Sequence, residues 1–115
     1  MVRTPPIEPP SGQRRGSPRG WPLAGIFGQV RLGEGPEAIR AGIVDVSENG
    51  VGLTMSRPVA PETALEVTLV NAPGLFACKR MAFVRYVRSA AAGGFHIGCE
   101  FDTPLGHGEL TYLQA

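Results

Sequence analysis

Two short groups of residues in this chain have the types and spacing for ligand chemistry. The first reads Arg15-Gly16-Ser17-Pro18-Arg19, with Arg14 directly before it. The second reads Asp45-Val46-Ser47-Glu48-Asn49-Gly50, with twenty-five residues between Arg19 and Asp45. An arginine guanidinium is a planar fork that pairs bidentately with phosphate oxygens or with the O6 and N7 atoms of guanine. An ionised aspartate such as Asp45 only accepts hydrogen bonds, so it suits ring N–H and amino donors. The Ser47 hydroxyl both donates and accepts. Gly50 lets a turn take positive φ and lets the backbone come close to a ligand. With two Asp, five Ser and 16 Gly among 115 residues, roughly 0.01 matches to Asp-x-Ser-x-x-Gly arise by chance.

Charge distribution points the same way. Residues 1–20 hold Arg3, Arg14, Arg15 and Arg19 against Glu8 alone, while the rest of the chain is slightly acidic. The near-neutral total of +1 therefore conceals a basic arm on an acidic body, and an anionic ligand is drawn to the arm. Bulk polyanion binding is not expected at that net charge. Residues 1–12 read as a disordered Pro-rich tail, and residues 13–22 as an arginine-bearing switch arm.

The elements that must position these groups are strands. Gly and Pro together make 27 of 115 residues, too many for a helical bundle and right for many turns. From residue 23 the apolar residues alternate in short runs. The runs cover 26–32, 38–46, 51–55, 65–69, 75–88 and 95–101. Gly33-Glu34-Gly35-Pro36, a break from Pro58 to Pro61, and Asn71-Ala72-Pro73-Gly74 punctuate them. In the long fifth run, Met81, Phe83 and Val87 fall opposite Ala82, Val84 and Tyr86. Six short strands suggest an all-β fold, a closed or nearly closed antiparallel barrel over residues 23–115, because closure removes exposed edges. Thr103 as N-cap and Pro104 as first residue predict one short C-terminal helix.

The order and spacing of the two groups resemble the PilZ domain family, whose signature is RxxxR followed some 20–30 residues later by (D/N)xSxxG. Arg15 and Arg19 match the first half; Asp45, Ser47 and Gly50 match the second. The context VDVSENGVGL and the run IGCEF in the last strand extend the similarity over roughly residues 13–103. The resemblance implies a six-stranded antiparallel barrel with the arginines on a mobile segment ahead of it. It implies a receptor for the second messenger cyclic di-GMP, bound by Arg14, Arg15, Arg19, Asp45, Ser47 and Gly50. In the family, the residue before RxxxR bears on whether one nucleotide or a stacked pair is held, and Arg14 favours the stacked pair here. The expected output is ligand-induced ordering of the arm that presents a surface to an effector protein, so no enzyme activity, cofactor or metal is expected.

Other residues have plainer readings. Trp21 is expected to be an apolar hinge packing the arm onto the barrel, with stacking on a guanine as the alternative. Arg85 and Arg88 read as solvated strand residues, and His96 as an outward residue of the last strand. Neither His96 nor His107 has a Ser or Cys partner at a spacing that makes a triad. Cys78 and Cys99 are too few for a disulfide framework and not at zinc spacing, so they read as small apolar core residues. No apolar run is long enough to span a membrane and no export signal opens the chain, so membrane insertion is not expected and the cytoplasm is. The main rival reading is a PilZ-fold adaptor that works without nucleotide. A barrel binding single-stranded nucleic acid would need exposed aromatics in a basic groove, which the acidic body does not supply.

Overall fold

The computed structural model describes residues 20–33 and 37–114. Arg14, Arg15 and Arg19, the tail and most of the switch arm lie outside the described residues. Among the described residues there are six strands: β1 (Ile26–Leu32), β2 (Ala38–Val46), β3 (Gly50–Met55), β4 (Ala64–Asn71), β5 (Phe76–Ser89) and β6 (Phe95–Phe101). They close into an antiparallel barrel in the order β1-β2-β3-β6-β5-β4. Every one of these strands therefore has two neighbours in the sheet.

The alternation of the sequence sets which side chains fill the barrel. Val30, Leu53, Leu65, Val67, Val84 and Ile97 are fully buried inside it. Their sequence neighbours point outward, as the period of two requires. Strand β5 departs from the simple pattern. Ala82 and Val84 face inward, and Met81 and Phe83 lie outside. The register then shifts between Val84 and Tyr86. This bulge, at Arg85, restores alternation in the other phase, so Val87 packs on the core and Tyr86 is exposed. A period-two reading that ran straight through the bulge put half of the strand in the wrong phase.

The C-terminal segment closes one end of the barrel. Leu105 and Leu113 are buried there. The helix α1 is shorter and later than the sequence suggests, spanning His107–Leu110 with Gly106 as N-cap. Thr103 and Pro104 do not begin it, because their carbonyls accept from the Arg80 guanidinium at 3.1 Å and 3.5 Å. The Leu105 N–H in turn donates to the Glu48 carbonyl at 2.8 Å, which keeps this stretch extended. Asn71 fastens the segment from the other side. Its amide donates to the Tyr112 carbonyl at 2.6 Å while its oxygen accepts from the Gly74 N–H at 2.9 Å. Both cysteines are free; Cys99 is buried and Cys78 half-buried.

Candidate functional site

The site begins at the turn that joins β2 to β3. Ser47, Glu48 and Asn49 make this turn, and the Ser47 N–H closes it by donating to the Gly50 carbonyl at 2.9 Å. The Ser47 side chain is buried, with its hydroxyl 3.4 Å from the same carbonyl. In this geometry Ser47 braces the turn. The outer half of the loop is tied to the end of β6 and the segment after it: the Phe101 N–H donates to the Asn49 carbonyl, and the Leu105 N–H to the Glu48 carbonyl, both at 2.8 Å.

Gly50 is needed for a different reason from the one its turn position suggests. It is not among the residues with positive φ. A Cβ on Gly50 would instead lie inside 3.0 Å of the Cys99 carbonyl oxygen on β6. The glycine allows the close approach of two strands.

Asp45 lies on β2 just past a register shift that begins at Ile43, directly across from Gly52 on β3. Because Gly52 has no side chain, the Asp45 carboxylate lies over it; a Cβ there would be 2.9 Å from Asp45 Oδ1. Gly52 pairs in turn with Gly98 on β6, and Gly98 with Tyr86 on β5. The outer face of the barrel thus carries Asp45 over Gly52 and Tyr86 over Gly98, with both glycines buried beneath them. The Tyr86 ring lies over Gly98. His96 sits beside this floor, edge-on to Tyr86 with centroids 5.6 Å apart, and the Arg88 guanidinium is 4.8 Å from the Tyr86 ring centre. Alternation puts Gly50, Gly52 and Thr54 in the outward phase of β3 and His96 and Gly98 in that of β6, but only the register makes them neighbours.

The entry to the site is a backbone clamp. Gly20 pairs with Val46, its N–H donating to the Val46 carbonyl at 3.0 Å and its carbonyl accepting from Val46 at 3.2 Å. The Gln114 side-chain amide donates to the same Val46 carbonyl at 2.7 Å. Leu23 N–H donates to the Leu113 carbonyl at 3.0 Å. The clamp does not use Trp21, which is 78% exposed, so the expected apolar hinge is made by backbone and by Gln114 rather than by the indole. Arg85 and Arg88 are exposed, as expected of strand residues. Arg85 pairs with Glu62 at 2.9 Å and Glu100 at 2.8 Å, and the Glu100 hydrogen bond raises its pKa.

The closed six-stranded antiparallel barrel is the fold the sequence resemblance implied. The family model for the PilZ domain matches residues 13–115. This chain belongs to the PilZ domain family. No curated protein sequence matches it. Two solved structures share this PilZ fold. One is the Klebsiella pneumoniae MrkH–c-di-GMP complex, at 21% identity and a TM-score of 0.65 over 79% of this chain and 45% of that one. The other is the Bacillus subtilis inhibitor of motility MotI/DgrA, at 16% identity and a TM-score of 0.67 over 88% of this chain and 48% of that one. The chain spans about half the length of each of these relatives. Among the described residues of this PilZ domain, no helix is long and apolar enough to cross a membrane.

Proposed function

We propose that this PilZ domain is a cyclic di-GMP receptor whose arginine arm and Asp45–Gly50 turn hold the nucleotide between them. The observation that carries the reading is the Gly20–Val46 bridge. Arg19 is covalently bonded to Gly20, and Val46 stands between Asp45 and Ser47 in the signature turn. The clamp therefore tethers the end of the RxxxR motif at the start of the DxSxxG motif. Guanidinium forks from Arg15 and Arg19 suit the phosphates and the O6/N7 edge of guanine. The Asp45 carboxylate accepts the N1–H and N2–H donors of a guanine. By the family resemblance, Arg14, directly before the RxxxR motif, engages a second, stacked nucleotide.

Signal transmission follows from where the arm is attached. Binding fixes residues 13–19 against the outer barrel face, at an ordering cost on the order of 2–5 kcal/mol that the contacts must exceed. The ordered arm is a new surface for an effector protein, so the output is an interaction rather than a reaction. Support comes from family membership and from the MrkH structure, which is described as a complex with c-di-GMP.

Titration calorimetry with cyclic di-GMP tests this, with Arg19→Ala and GTP as controls. Saturable micromolar or tighter binding, lost in Arg19→Ala, is the expected result; two nucleotides per chain would identify the stacked pair. No heat at high protein concentration refutes the receptor reading and favours the nucleotide-independent adaptor.

A further inference from the structure

The Nε2 atom of His96 is buried and has no hydrogen-bond partner among the described residues. Buried polar atoms are nearly always paired, and an exception needs an explanation such as a missing ligand. The position of this one supplies it. A Cβ on Gly52 would lie 3.1 Å from His96 Nε2 and 2.9 Å from Asp45 Oδ1. The imidazole nitrogen and the carboxylate oxygen therefore converge above the same bare glycine, from β6 and β2 respectively. The imidazole is held there by its edge-on contact with Tyr86.

We infer that His96 is a nucleotide-binding residue that reads a guanine together with Asp45 across Gly52. The inference rests on the cyclic di-GMP reading above. The Watson–Crick edge of guanine presents O6, an acceptor, next to N1–H and N2–H, which are donors. The carboxylate takes the donors, and an Nε2–H takes O6. Adenine presents an amino donor where guanine has O6 and an acceptor where guanine has N1–H, so it meets donor with donor and acceptor with acceptor. The pair over Gly52 thus adds a guanine preference at the Watson–Crick edge to the one that the arginine forks supply at the O6/N7 edge. The glycine is what makes the arrangement possible, because any side chain at position 52 would occupy the space above the floor.

Three variants test the assignment by calorimetry with cyclic di-GMP and cyclic di-AMP, each first checked for an unchanged melting temperature. His96→Phe keeps a ring against Tyr86 and removes the nitrogen. His96→Ala removes both. His96→Gln puts an amide N–H near the place of Nε2. Loss of one hydrogen bond to a bound base predicts about three- to tenfold weaker cyclic di-GMP binding for His96→Phe and His96→Ala. His96→Gln stays within about twofold of the unaltered chain. The margin of cyclic di-GMP over cyclic di-AMP narrows by the same factor in the Phe and Ala variants. If the unaltered chain binds and His96→Phe binds equally well with the same margin, His96 reads nothing and the inference is overturned alone. If the unaltered chain binds no cyclic di-GMP, the receptor reading falls and this assignment falls with it.

Discussion

Replacing Gly50 tests whether the signature glycine serves backbone conformation or strand approach. The two explanations differ in what Ala and Asn do. A glycine kept for positive φ is replaced better by Asn than by Ala, since Asn tolerates the left-handed region. A glycine kept for close approach rejects both, and Asn more. The structure selects the second case. A Cβ at position 50 falls inside 3.0 Å of the Cys99 carbonyl oxygen, whereas ordinary contact starts at 3.4 Å, and the neighbour is backbone that cannot rotate away. Strands β3 and β6 must part locally by several tenths of an ångström. That weakens the nearby ladder bonds and the Asn49–Phe101 bond that ties down the turn, each worth about 1 kcal/mol net. With the usual cost of overpacking, about 2–3 kcal/mol is lost. For a domain of this size that is a fall of roughly 8–12 °C in melting temperature. Thermal unfolding followed by circular dichroism measures it. Gly33→Asn is the control, because Gly33 has φ +60° and nothing within 4 Å of its Cβ position. It should stay within about 2 °C of the unaltered chain. A melting temperature for Gly50→Ala within that same margin, or Gly50→Asn more stable than Gly50→Ala, would refute the close-approach argument.

Two other outcomes follow from the clamp and the half-buried thiol. Gln114→Ala removes the donor at 2.7 Å from the Val46 carbonyl but leaves the Gly20 bond. It should cost about 1 kcal/mol and speed amide exchange at Gly20 about fivefold, read by hydrogen exchange; an unchanged Gly20 rate contradicts it. Burial, then the nearby Glu109 charge, push the Cys78 thiol above its ordinary value of 9.0, with Arg80 pulling the other way. The folded thiol holds its proton where the unfolded one has lost it. Stability is therefore unaffected below about pH 9 and falls as pH rises from there toward the raised folded value. Urea unfolding at pH 8 and pH 10 should show a smaller alkaline loss in Cys78→Ala than in the unaltered chain.

The barrel was legible in the sequence because its signal is local. Alternation in 26–32, 65–69 and 95–101 gave the strands, and Gly, Pro and Asn clusters gave the turns between them. What was not legible depends on contacts between distant residues. The bulge at Arg85 changes the phase of β5, and no residue type in that run announces it. The helix start moved from Pro104 to His107 because Arg80, on β5, draws the carbonyls of Thr103 and Pro104 toward itself. Capping rules see only neighbours in sequence. Trp21 was expected to bury its ring as the hinge, and backbone pairing to Val46 with Gln114 across Gly20 does that work instead. Asp45, Ser47 and Gly50 were singled out by their spacing, whereas the surface of Gly52 and Gly98 was not. Two glycines on different strands become one surface only once the register puts them side by side.

The bonding of the signature turn also decides where the free-energy cost of binding falls. The Val46 carbonyl accepts from Gly20 and Gln114, the Glu48 carbonyl from Leu105, and the Asn49 carbonyl from Phe101. The backbone acceptors of the loop are thus held by the hinge, β6 and the C-terminal segment before any nucleotide arrives. A turn held in this way is ordered before binding, and preorganised groups bind at a lower entropy cost. In the proposed mechanism the cost is then confined to the arm ahead of Gly20. Changes to the braces, at Leu105 or Gln114, alter affinity by loosening the loop although they touch no ligand. Changes that stiffen the arm act in the opposite direction. Because Val46 is bonded to both the hinge and Gln114, the C-terminal segment is the part of the barrel mechanically nearest to the arm. In the proposed mechanism, nucleotide binding at the arm is therefore felt first at Gln114 and the buried Leu113 beside it, before the far side of the barrel at β4.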